Sequence, residues 1–255
     1  MEIGFSFLDL LTGGTLGLIS ASLAAHFGYR SADRLPGETR LPQCVFCQRS
    51  LQIHEYFPLF GWLLRLNALR LPCPCGKRTG LWPQPFIEIL GFLLGVSAVV
   101  LTGWSPLLIP ICLGLGLLPA IAMIDLAFGL IPDGLNLTLA VLGLISLIIG
   151  DGDLSWGFIN SAGLLGLGLL LALGYSKIRG REMLGIGDVK FFAAAGLWLP
   201  VMLVPWFLAI SGVTGIVVGL LWRLISGEKE FPFAPALCLS LGGCLYYQLY
   251  LYSFQ

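Results

Sequence analysis

The chain has 255 residues, 57% of them hydrophobic and 11% charged, with 14 basic and 14 acidic side chains. A water-soluble domain carries about 25% charged residues, so the composition excludes an ordinary soluble protein and places the chain in a bilayer. The net charge of zero identifies no partner and gives no sign of a nucleic-acid surface; its distribution along the chain is what carries information.

A membrane-crossing helix needs about 20 mostly apolar residues. Such windows predict eight spans, near 4–27, 84–103, 106–124, 134–150, 157–175, 186–199, 202–224 and 232–251. The fourth and sixth are short, which makes seven the rival count. The first window follows Met1 and Glu2 with no basic segment and no A-x-A site, and reads as a retained helix, not a signal peptide.

Lys and Arg accumulate in cytoplasmic loops. Here they fall in three places: Arg30, Arg34, Arg40, Arg49, Arg65, Arg70, Lys77 and Arg78 after the first span; Lys177, Arg179, Arg181 and Lys190 around the fifth and sixth; Arg223 and Lys229 after the seventh. Eight spans put all three on one side, with both termini outward. The expected fold is therefore an all-α polytopic membrane protein with three parts: a first helix over 1–28, a cytoplasmic loop over 29–83, and a seven-helix membrane domain over 84–255. The pairs Gly13/Gly17 and Gly215/Gly219 have the small-xxx-small spacing that lets membrane helices approach closely.

The loop carries Cys44-Val-Phe-Cys47 and, further on, Cys73-Pro-Cys75. Two thiolate pairs suit tetrahedral zinc, which would staple a segment lacking its own core, and a cytoplasmic loop lies where disulfides are disfavoured. The second pair is C-x-C and not the usual C-x-x-C, so unligated structural thiols are the alternative. Cys112, Cys238 and Cys244 fall within spans three and eight and read as packing residues. His26 and His54 belong to no nucleophile–base pattern, although His54 lies between the cysteine pairs and could replace a failed thiol.

Ionisable residues in or at the ends of apolar helices are costly and mark function. Asp125 closes span three, Asp133 opens span four after Pro132, and Asp188 opens span six in Gly185-Ile-Gly187-Asp188-Val-Lys190. Two carboxylates sharing one site can divide the work of hydrolysis, one activating water and the other donating a proton to the scissile carbonyl, with no metal at that site. Helix ends predict Asp188, at a positive N-terminus, as the resting carboxylate, and Asp125, at a negative C-terminus, as the resting acid. Lys190 would also favour a charged Asp188, Gly185 and Gly187 would allow a sharp turn, and Asp133 has a helix-cap reading beside a site role. A transporter or proton relay is the competing class, but the inverted repeat such proteins often show is absent from the sequence.

These residues resemble the type IV prepilin peptidases, GxGD-type aspartic proteases of the bacterial inner membrane, over nearly the full length. The resemblance rests on Asp125 followed by Ile131-Pro132-Asp133, on Gly185 to Lys190, on Cys44/Cys47, on Pro58 with Phe60-Gly-Trp62, and on Pro85-Phe-Ile-Glu88. The N-terminal family pattern keeps only Ser22, Tyr29 and Arg30, or alternatively Arg34-Leu35-Pro36. The resemblance implies Asp125 and Asp188 as the catalytic pair and type IV prepilins or type II secretion pseudopilins as substrates, cut after the Gly ending a basic leader. It also implies methylation of the new N-terminus with S-adenosylmethionine, or alternatively peptidase activity alone. Glu88 is open to a methyl-transfer role or to helix packing.

Overall fold

The computed structural model describes residues 6–32, 84–179, 184–227 and 231–253. Cys44, Cys47, Cys73, Cys75, His54, Pro58 and Phe60 to Trp62 lie outside the described residues, so the loop reading and its metal find no test in the geometry. Eight α-helices and one short 3-10 turn make up the described secondary structure: α1 (Phe7–Ala32), α2 (Gln84–Thr102), α3 (Leu108–Phe128), α4 (Asp133–Ile149), α5 (Leu154–Arg179), α6 (Ile186–Gly196), the 3-10 turn Val201–Leu203, α7 (Val204–Ser226) and α8 (Ala234–Tyr252).

Each helix overlaps one predicted apolar window. The stretches Phe7–Gly28, Pro85–Thr102, Leu108–Phe128, Leu154–Gly174 and Val201–Ile225 are long and apolar enough to cross a membrane, which makes the chain a polytopic helical membrane protein. With 17 residues, α4 rises about 26 Å. With 11 residues, α6 rises only about 16 Å, roughly half a hydrocarbon core of about 30 Å.

At the centre stands α3, packed against α1, α2, α4 and α8 and buried around most of its circumference. Glycine makes the α1–α2–α3 contact possible. A Cβ at Gly17 would strike the Gly91 carbonyl oxygen, one at Gly95 the Gly13 carbonyl oxygen, and one at Gly116 the Gly17 carbonyl oxygen. The Gly13/Gly17 pair thus serves helix approach as its spacing suggests. By contrast, Gly215 and Gly219 on α7 make room for aromatic rings, Phe233 and Phe231, from the segment leading into α8.

Between α4 and α5 runs α6. Gly196 brings it against the Ser161 backbone of α5, and Ser161 Oγ donates to Ala193 O at 2.8 Å. On the other side Trp198 Nε1, just past the helix, donates to Leu139 O of α4 at 2.9 Å. The C-terminal half of the short α6 is consequently clamped between its neighbours, and its N-terminus is held beside the start of α4.

Candidate active site

The C-terminal end of α3 and the N-terminal ends of α4, α6 and α8 gather at one end of the bundle. The chain leaves α3 through Gly129, whose left-handed backbone (φ 66°) lets its N–H reach back to Asp125 O at 2.8 Å. Asp125 therefore lies one turn inside α3, which runs on to Phe128, and does not close the helix as the sequence suggested. Two residues on, buried Ile131 and Pro132 lead into Asp133, the first residue of α4.

The linker between α3 and α4 touches the start of α6 directly. A Cβ on Gly187 would come within 3.2 Å of Ile131 Cβ and 3.4 Å of its backbone N and O. Gly185 (φ −66°) and Gly187 are both absent from the positive-φ residues, so the expected sharp glycine turn is corrected: Gly187 is required for close approach. Its small size seats Asp188 near the level of Asp125.

Asp125 is 5% exposed. Its Oδ2 accepts the backbone N–H of Ala234, the first residue of α8, at 2.9 Å. Asp188 Oδ2 accepts the Gly185 N–H at 3.2 Å, capping α6. The two aspartates reach this end of the bundle from α3 and α6, the negative charge of Asp125 bears on Asp188, and the buried thiol of Cys238 lies one turn into α8. Each carboxylate thus faces the positive end of a helix, Asp188 that of α6 and Asp125 that of α8. The asymmetry used to divide resting acid from resting base is reduced, because the contact with α8 gives Asp125 a positive helix end as well, although Asp125 still lies in the last turn of α3.

Among the described residues, the ion-pair partner of Lys190 is Asp133 and not Asp188. Its Nζ pairs with Asp133 Oδ1 at 2.6 Å, joining α6 to α4, with the two side chains 45% and 74% exposed. An exposed pair contributes about 0.2–1 kcal/mol. Lys190→Met is expected to shift the thermal transition in detergent by only a degree or two, and a shift comparable to that of a core mutation would contradict the pair's exposed setting.

Glu88 stands apart from this group. It is 1% exposed in the seam between α1 and α2, where Ser22 Oγ donates to its Oε1 at 2.6 Å. Cys112, Cys238 and Cys244 are buried with free thiols. Asn136, which sequence reasoning passed over, belongs to the site. One turn after Asp133 and 4% exposed, it donates through Nδ2 to Gly187 O at 3.0 Å. An uncharged amide among mostly apolar residues of α4 was the one signal that could have found it.

The fold and this site define a helical integral membrane protein with two aspartates held by separate helices at one end of the bundle. A family model described as the type IV leader peptidase family matches residues 112–220. The chain is similar to the "Prepilin leader peptidase/N-methyltransferase" of Legionella pneumophila, 32% identical over 226 residues covering 84% of this chain and 75% of the relative. It is also similar to the proteins of that name from Pectobacterium carotovorum subsp. carotovorum, 32% identical with 78% and 71% covered, and Dickeya chrysanthemi, 33% identical with 77% and 70% covered. No solved structure matches it. The chain belongs to the type IV leader peptidase family.

Proposed function

We propose that the protein is a membrane aspartic endopeptidase that removes the leader from type IV prepilins or type II secretion pseudopilins after Gly, with Asp125 and Asp188 as its catalytic pair. The observation that carries this reading is the convergence of the two helix ends that bear Asp125 and Asp188, 63 positions apart in the sequence (188 − 125), with the α3–α4 linker packed on Gly187 and Asp125 buried under the start of α8. One carboxylate, ionised, takes a proton from water as the water oxygen attacks the scissile carbonyl. The other, protonated, donates to the carbonyl oxygen; the first then passes the proton it took from water to the leaving nitrogen while the second takes back a proton from the diol oxygen, and the C–N bond breaks to release the new amine and a carboxylic acid. The dyad shares one proton, as like charges in one site require.

The proposed topology has eight spans in the bacterial inner membrane, with the aspartates and the 29–83 loop facing the cytoplasm. A prepilin's cationic leader would remain on that side while its apolar helix entered the bilayer, which sets the scissile bond at the level of Asp125 and Asp188. The test is to co-express a prepilin with the wild type, Asp125→Asn and Asp188→Asn and to weigh the product. Cleavage by either variant at the wild-type rate would remove the dyad.

N-methylation of the product is proposed on the names of the relatives. S-adenosylmethionine would supply the methyl group. Glu88 does not fit a cofactor contact, because its carboxyl is buried between helices and bonded to Ser22; helix packing is its role in this reading. The same mass spectra show or exclude the added methyl.

Structural zinc on Cys44, Cys47, Cys73 and Cys75 is proposed from the thiol pairs alone. Elemental analysis of purified protein is expected to find about one zinc per chain and markedly less after Cys44→Ser. Equal zinc in both proteins would refute this ligand set.

A further inference from the structure

We infer that Asn136 is a positioning residue for the proteolytic site, fixing the backbone that carries Asp188 through its amide bond to the Gly187 carbonyl. The inference rests on the proposed catalytic role of Asp188. Nδ2 must be the atom facing Gly187 O, because a carbonyl only accepts. The bond at 3.0 Å spans 51 positions of sequence and ends one residue before Asp188.

A second observation separates this amide from ordinary packing. Asn136 Oδ1 is buried and has no hydrogen-bond partner among the described residues. Burying an acceptor without a donor destabilises a fold, so a leucine of similar bulk would serve packing better. The amide is there for what Nδ2 does. No other described contact places a side-chain donor on the Gly187 carbonyl, and the exposed Lys190–Asp133 pair nearby is too weak to fix the helix start alone.

A positioning role has a signature that packing lacks. In Asn136→Asp the new carboxyl can donate to Gly187 O only when protonated; once ionised it repels that oxygen. Among the described residues, the titratable groups at this end of the bundle include Asp133 on the same helix, Asp188 and Lys190 on α6, Asp125 on α3, Cys238 on α8 and His26 on α1. All are present in wild type and variant, but an ionised carboxylate at 136 also shifts the titration of Asp188 beside it, so the Asn136→Asp ratio of variant to wild-type kcat at each pH is read together with Asn136→Leu and Asn136→Thr, which add no charge.

Purified full-length protein in lipid, with a prepilin as substrate, supplies that ratio from mildly acid to mildly alkaline pH. For Asn136→Asp it is expected to fall about tenfold to a hundredfold as pH rises. Asn136→Leu is expected to be slow at every pH with a flat ratio, and Asn136→Thr, whose hydroxyl can donate to the same carbonyl, to recover most of the rate. A flat ratio for Asn136→Asp overturns the inference, as does wild-type kcat in Asn136→Leu. If Asn136→Leu loses its thermal transition, the Asp and Thr variants decide the matter. Asp188→Asn runs alongside: residual cleavage there defeats the dyad itself, whereas an inactive Asp188→Asn with a flat Asn136→Asp ratio defeats only the role of Asn136.

Discussion

Asp125→Asn and Asp188→Asn are each expected to lower prepilin cleavage by about a hundredfold to ten-thousandfold, the range that general acid–base groups contribute. The amide preserves shape and most packing. At Asp125 it can still accept the Ala234 N–H through its oxygen, and at Asp188 it can still cap α6. Both variants should therefore remain folded with near wild-type thermal transitions, while losing the ability to exchange a proton with water or with the scissile carbonyl. Because the two groups act as one unit, the double variant should be little slower than either single one. Losses that multiplied would show two independent contributions and no shared proton.

The largest expected effect on stability comes from Gly17→Leu. Gly17 is the point where α1 meets α2 and α3 together, with the Gly91 carbonyl against it on one side and its own carbonyl against Gly116 on the other. The obstacles are backbone atoms, so no side chain can swing aside; three helices would have to separate. Overpacking a rigid contact costs about 1–3 kcal/mol and sometimes more, which for a chain of this size lowers the transition by roughly 2–4 °C per kcal/mol. A loss of about 10 °C or outright misassembly is expected. Leu170→Ala, at a position 67% exposed toward lipid on α5, should leave the transition in place. If both substitutions behaved alike, close approach at Gly17 would not be holding the bundle together.

Much of the architecture was legible because the bilayer imposes a length and a polarity on each helix. The apolar windows located all eight described helices, most boundaries agreeing within a few residues. The end of α3 was misread since Asp125 was taken as the stop, whereas the actual stop is Gly129, four residues on, with its left-handed backbone. Within the site, Asp125 and Asp188 stood out because charge in an apolar run is costly. The partners that hold them did not. The donor to Asp125 is a main-chain N–H of Ala234, and a backbone group leaves no mark in a sequence. Asn136 is neutral and unremarkable until Gly187 is seen against it. Even Gly187 was noticed for the wrong property, conformational freedom, when absence of a side chain is what lets it sit on Ile131.

The stretch that defines the family ends at residue 220, yet Ala234 and Cys238 lie beyond it. A fragment trimmed to that stretch would keep both acids but strip Asp125 of its hydrogen-bond donor and uncover it. α8, which contributes no acid of its own, supplies the backbone donor that holds Asp125.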